Sequence, residues 1–171
     1  MIFRVLHHTA DKSTAPQFDK VRRYHNNGAG GKWRSGYGIQ YHRFIEHDGT
    51  VFFPNAYSKV TWHSGSSEWN KKSAGWCLAG DFRNQSPTEK QLDALFGLWR
   101  DEGFPPLVLH SEVRPTPTAC PGVDLRPLLD GRRLSYLAER LKIAENAIPR
   151  STGLRLMRLL RWIDRVKRYL E

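Results

Sequence analysis

Apolar positions along the chain change period repeatedly, from the continuous runs of buried strands to the three-and-four spacing of helices. Ile2-Phe3-Arg4-Val5-Leu6-His7-His8 reads as a buried strand over residues 2–8. From Pro16 to about Asn26, Phe18, Val21 and His25 recur near helical spacing, and Asn27-Gly28-Ala29-Gly30-Gly31 follows as a flexible connection. That glycine run is not a phosphate loop, because it lacks a following Gly-Lys-Ser/Thr and succeeds a helix rather than a strand. Residues 38–46 and 50–53 are β-rich runs separated by Asp48-Gly49, the pattern of a tight hairpin. Residues 74–82 predict another buried strand. Ser86-Pro87-Thr88-Glu89 predicts a helix start, with Ser86 as N-cap, Pro87 at the first helical position and Glu89 completing a capping box. Leu92, Leu95, Phe96 and Trp99 mark its buried face, and Gly103 ends it. A last strand, 106–110, delivers His110 at its end. Strands alternating with helices, with one hairpin, predict a mixed α/β fold: a central mixed β-sheet flanked by helices.

The texture changes from Gly131 onward. Leu134, Leu137, Ala138 and Leu141 predict one helix, and Pro149-Arg150-Ser151-Thr152-Gly153 breaks it. A second helix is expected from about Leu154 to Leu170, with Leu156, Leu159, Leu160, Ile163, Val166 and Leu170 on one face and Arg155, Arg158, Arg161, Arg165 and Arg168 on another. The chain therefore divides into a domain, 1–130, and a basic amphipathic C-terminal helical extension, 131–171.

The 171 residues, 39% of them hydrophobic, with six tryptophans, suffice for one packed core. No run of about eighteen apolar residues predicts a membrane span. No secretory signal is visible, so synthesis in the cytoplasm and action outside it, after release by another factor, are expected. The net charge is +10, and residues 131–171 carry +7 of it. Such a tail either docks its apolar faces on the protein or, through residues 149–171, lies on an anionic membrane or lipopolysaccharide. Nucleic acid is not an expected partner, since no recognised module is present. A monomer is expected.

Cys77 and Cys120 are the only cysteines, which excludes a disulfide framework. Cys77 sits in an apolar run and reads as a small buried hydrophobe. Cys120 lies across a proline-stiffened loop from His110. With His7 these two offer two imidazoles and one thiolate, a set that can hold zinc and leave its fourth position open, as catalytic sites do. Spacing alone does not establish that reading, because three ligands this far apart are not a local motif. Strand alternation puts His7 and His8 on opposite faces, so His7 is taken as the ligand and His8 as a packing residue. Taken singly, His25, His42, His47 and His63 read as surface residues, and Tyr41 as a core aromatic.

Five pieces in order change the balance: Leu6-His7-His8-Thr9-Ala10; Gly38-Ile39-Gln40-Tyr41-His42 with Asp48-Gly49-Thr50; Trp62-His63-Ser64-Gly65; Asn70 with Ser73 to Phe82; and His110 through Thr118-Ala119-Cys120-Pro121-Gly122. Together they resemble the zinc-dependent N-acetylmuramoyl-L-alanine amidases shared by phage lysozymes and peptidoglycan recognition proteins, over nearly all of residues 2–130. The resemblance implies the peptidoglycan recognition protein-like amidase fold. It also implies a Zn2+ centre of His7, His110 and Cys120, with Tyr41 and Thr118 as catalytic hydrogen-bond donors and His63 and Asn70 on the substrate groove. Thr118 stands where phage members carry lysine and many recognition-protein amidases threonine. The implied activity is hydrolysis of the bond between N-acetylmuramic acid and L-alanine in peptidoglycan, as by a bacteriolytic phage or prophage endolysin. The alternatives are a non-catalytic peptidoglycan-binding module with a membrane-active basic tail, and a cationic membrane-active or regulatory protein on the same fold.

Overall fold

In the computed structural model, residues 1–28, 36, 38–146 and 161 are described. Met1–Arg126 form one compact unit, and the chain from Pro127 forms a second. The break at 149–153, all of the helix expected over 154–170 except Arg161, and most of the glycine-rich connection lie outside the described residues.

The first unit is built on a five-stranded sheet in the order β3-β2-β4-β1-β5. Its strands are β1 (Phe3–His8), β2 (Arg43–Ile45), β3 (Val51–Phe52), β4 (Ser73–Leu78) and β5 (Leu107–Leu109). β1 runs parallel to β4 and β5, β2 runs parallel to β4, and only β2 and β3 pair antiparallel. The central strands β1 and β4 are buried along almost their whole length, which explains why they read as continuous apolar runs rather than as alternation. The hairpin turns at Asp48-Gly49, where Gly49 has φ +85° and Asp48 Oδ1 accepts the Thr50 N–H at 2.8 Å.

The hairpin is shorter than the pattern 38–46 suggests. Residues 39–41 lie outside any strand and find backbone partners among side chains instead of a ladder. Asn55 Nδ2 donates to the carbonyls of Ile39 and Tyr41 (2.8 and 2.7 Å), and the Gln40 N–H donates to His25 Nδ1 (3.0 Å). Strand β4 likewise stops at Leu78, before the predicted end at 82.

Helix α1 (Phe18–Asn26) begins where Glu46 Oε1 accepts the Gln17 and Phe18 N–H groups, a carboxylate meeting the orphan donors of a helix start. Its Phe18 stacks on Phe52 at 4.0 Å and meets Phe44 edge-on. With Val21, Ile39, Tyr41, Cys77 and Ala79 these rings form one core cluster. Helix α2 (Ser67–Lys72) is capped by the Ser66 side chain. Helix α3 (Glu89–Asp101) buries Leu92, Leu95 and Trp99 as its spacing predicts, while Phe96, expected on the same face, is only half-buried. Its cap differs from the expectation: Thr88, not Ser86, is the N-cap, and Gln91, not Glu89, closes the box. Both registers satisfy the sequence rule, but Thr88 Oγ1 also donates to the His47 carbonyl at 2.7 Å, a tertiary bond invisible in local sequence. Arg4 on β1 reaches Glu102 past the end of α3 at 2.7 Å, so α3 lies on the side of the sheet opposite His7.

Helix α5 (Arg126–Asn146) starts five residues before Gly131. Asp124 Oδ1 accepts the Arg126 N–H at 2.9 Å, and Pro127 fits a first helical turn. No helix among the described residues is long and apolar enough to cross a membrane.

Candidate functional site

Odd-numbered residues of β1 and β4 share a face, because His7 lies opposite Cys77 and Val5 opposite Gly75. His7 projects from that face at the C-terminal end of β1, where ligand sites of parallel sheets gather. Its neighbour His8 turns its ring to the other side. There His8 Nδ1 accepts the Phe82 N–H at 3.0 Å, with Asp81 3.9 Å away. Strand β5 ends at Leu109, and the short helix α4 (His110–Val113) starts with His110. The Ser111 N–H donates to the Cys120 carbonyl at 2.9 Å, closing the proline-rich loop so that His110 and Cys120 adjoin. One ligand atom from each of His7, His110 and Cys120 lies within 4.8 Å of the other two.

The hydrogen bonds around these residues settle which ring atoms are free. His110 Nε2 lies 3.3 Å from the Ser64 carbonyl, which can only accept, so Nε2 carries the proton and Nδ1 keeps a lone pair. That Nδ1 is buried and without a hydrogen-bond partner among the described residues. His63 Nε2 faces the Ser73 carbonyl at 3.2 Å, so it too is protonated, and His63 Nδ1 accepts from His7 Nε2 at 3.1 Å. His7 Nδ1 is thereby left with its lone pair toward Cys120 Sγ, 3.8 Å away. The His8 N–H points at the same sulfur from 3.4 Å.

These atoms fit a metal ion. Tetrahedral zinc with bonds of ~2.0 Å to nitrogen and ~2.3 Å to sulfur separates the two atoms by about 3.5 Å, close to the 3.8 Å between His7 Nδ1 and Cys120 Sγ. The orphaned Nδ1 of His110 is otherwise an uncompensated buried polar atom, which costs free energy. Electrostatics agree with neutral imidazole donors. Burial, then the neighbouring His110 and His63, hold His7 well below the usual histidine range. Burial, more than the neighbouring positive groups, lowers His110 to about 4 and His63 to about 3, against the raising effect of their hydrogen bonds to the Ser64 and Ser73 carbonyls. Burial raises the Cys120 thiol to about 11, so a metal must displace its proton to bind it.

Tyr41 packs beside this group, its ring 5.2 Å from that of His7. Burial, and next the nearby Cys77, push its hydroxyl well above the usual tyrosine range, so it is a proton donor at neutral pH. Thr118 Oγ1 accepts the Cys120 N–H at 3.2 Å, which leaves the hydroxyl proton available to another acceptor.

His63 and Asn70 point their polar atoms inward. His63 is 6% exposed and Asn70 1%. Asn70 Oδ1 accepts both the N–H (2.9 Å) and the hydroxyl (2.8 Å) of Ser64. The surface reading of His25, His42 and His63 is corrected: all three are buried. A neutral imidazole satisfied on both nitrogens can be buried, and His42 donates to the Lys59 carbonyl (2.9 Å) while accepting the Gly75 N–H (3.1 Å). Sequence reasoning missed Ser64 and Ser73, whose contribution is a backbone carbonyl and leaves no side-chain signature.

Residues 2–123 match the family model described as N-acetylmuramoyl-L-alanine amidase. Over 137 residues the chain is 26% identical to peptidoglycan-recognition protein SC2 of Drosophila melanogaster, covering 72% of this chain and 69% of that one. Among solved structures it resembles the endolysin N-acetylmuramoyl-L-alanine amidase LysCS from Clostridium intestinale URNW, with TM-score 0.61, 26% identity and coverage of 77% of this chain and 82% of that one. The Ph2119 endolysin of a Thermus scotoductus bacteriophage is similar at TM-score 0.57 and 26% identity, over 76% and 82% of the two chains. The match spans the whole sheet and every residue of the His/His/Cys group, and the chain belongs to the N-acetylmuramoyl-L-alanine amidase family.

Proposed function

We propose that this protein is a zinc-dependent amidase that cleaves the amide bond between N-acetylmuramic acid and L-alanine in peptidoglycan, acting as a phage or prophage endolysin. The observation that carries the reading is the buried Nδ1 of His110, without a hydrogen-bond partner among the described residues, beside the Cys120 thiol, whose Sγ meets the lone pair of His7 Nδ1. Zinc held by these three atoms supplies a Lewis acid and acidifies water at neutral pH.

The remaining work falls to side chains of this chain. His7 and His110 present their Nδ1 lone pairs because the carbonyls of Ser73, acting through His63, and Ser64 fix the protons elsewhere. Tyr41, protonated across the physiological range, donates a hydrogen bond to the scissile carbonyl oxygen as negative charge develops there. Thr118 can donate a second from its free hydroxyl proton. Neither residue is a nucleophile, and Cys120 serves as a ligand rather than an attacking group. The leaving amine of L-alanine takes its proton from Tyr41 or from water.

The likeness to a recognition protein favours peptidoglycan binding without turnover as the second reading, and the thiol of Cys120 in the ligand group weighs against it. Purified protein should carry one zinc per chain and clear a peptidoglycan suspension. Cys120→Ser should lose both while still sedimenting with the polymer. Clearance by the zinc-free variant would sink the metal mechanism. Association of residues 149–171 with anionic membrane or lipopolysaccharide is a separate proposal; unchanged liposome binding at low salt after deleting them would end it.

A further inference from the structure

We propose that His63 and Asn70 are positioning residues that fix the tautomers of the two ligand histidines, acting from the segment 63–73 rather than by touching substrate. Two backbone carbonyls anchor the arrangement. The Ser73 carbonyl, where α2 gives way to β4, orients His63, and His63 orients His7 (3.2 and 3.1 Å). The Ser64 carbonyl orients His110 at 3.3 Å. Because carbonyls only accept, each chain of bonds has one direction, and each ends with the lone pair on Nδ1. Outer partners of this kind set the orientation and basicity of ligand imidazoles.

Asn70 holds the second chain in place. Its Oδ1 is the acceptor for the Ser64 N–H, and it sits one turn into α2, whose N-cap Ser66 carbonyl accepts the Asn70 N–H at 2.9 Å. The amide is used on one side only, since Nδ2 has no hydrogen-bond partner among the described residues. What the site requires at position 70 is therefore a buried acceptor. His63 is fixed as firmly: its ring lies against the backbone of β4, where a Cβ on Gly75 would stand 2.7 Å from His63 Cγ. That contact explains why glycine occupies a mid-strand position.

The test has two arms, of which only the second rests on the zinc reading. In the metal-free full chain, two-bond proton–nitrogen correlation spectra report imidazole tautomers directly. Wild type should show His7 and His110 protonated at Nε2. His63→Ala should give His7 a mixture of tautomers, and Asn70→Leu should do the same to His110. Asn70→Asp, which keeps the acceptor, should restore the Nε2–H form, and Ser64→Ala, which keeps the backbone N–H and carbonyl, should stay close to wild type. In the second arm, competition with a chromophoric chelator should show zinc bound ~10–100-fold more weakly by His63→Ala and Asn70→Leu. Circular dichroism checks folding; should Asn70→Leu not fold, the wild-type spectrum and His63→Ala decide. Wild-type tautomers and zinc affinity in both variants, with only KM for peptidoglycan raised, would overturn the proposal and make these residues substrate contacts. Failure of wild type to bind zinc would instead count against the amidase reading, with the first arm still deciding this one.

Discussion

Lowering the pH from 7.5 to 5.5 should unfold the metal-free protein far more readily than surface histidines could explain. His25 and His42 each use Nδ1 to accept a backbone N–H, from Gln40 and Gly75 respectively. Protonation there would set two donors face to face inside the core. Burial accordingly brings His25 and His42 down to about 4, as it does His110, and His63 to about 3. The folded pKa values lie below the unfolded value of about 6.5, so between roughly pH 6.5 and 4 the unfolded chain binds more protons. Stability is then full above pH 6.5 and falls as pH drops through that window. At pH 5.5 each such group costs about 1.4 kcal/mol, and four together cost about 5.6 kcal/mol, comparable with the whole stability of a small domain. His7 shifts in the same direction. Urea denaturation followed by tryptophan fluorescence, with chelator present, measures this as a falling midpoint from pH 7.5 to 5.5. His42→Gln should flatten the profile by about 1.4 kcal/mol at pH 5.5. A midpoint that does not move over this range would refute the reasoning, because it would mean that the folded protein accepts these protons without penalty.

Zinc uptake near pH 7 should release one proton per chain, from the Cys120 thiol, because His7 and His110 are already neutral; calorimetry in buffers of different ionisation enthalpy counts it, and a count of zero would remove Cys120 from the ligand set. Tyr41→Phe should lower kcat by ~10²-fold with little change in KM or zinc content, the loss expected for one oxyanion donor; equal loss of zinc would give Tyr41 a structural role instead. Leu95→Ala, at a fully buried position of α3, should destabilise the domain by about 2–5 kcal/mol in denaturant melts while the zinc affinity of the folded fraction stays unchanged.

Much of this arrangement is readable from residues in order, and the gaps have a common physical origin. The alternation of β1 already separates His7 from His8, and the run ending at Leu109 already delivers His110 to a strand end. Those features depend on backbone geometry that period and position encode. The helix cap at Thr88 and the burial of His25, His42 and His63 were not readable, because each is decided by a group distant in sequence. Thr88 is chosen over Ser86 by the His47 carbonyl, and His63 is buried by the Ser73 carbonyl and His7. The stretch 39–41 shows the same effect in reverse: it has strand composition, yet side chains of Asn55 and His25 take the hydrogen bonds that a ladder would have made. Tertiary partners overrode local preference in each case.

The most direct test of the amidase account is to digest purified peptidoglycan and identify the products by mass spectrometry, with chelated and zinc-restored samples alongside. The account predicts free stem peptides beginning with L-alanine, absent after chelation and regained with zinc. Intact glycan–peptide linkages from a protein fully loaded with zinc would contradict it.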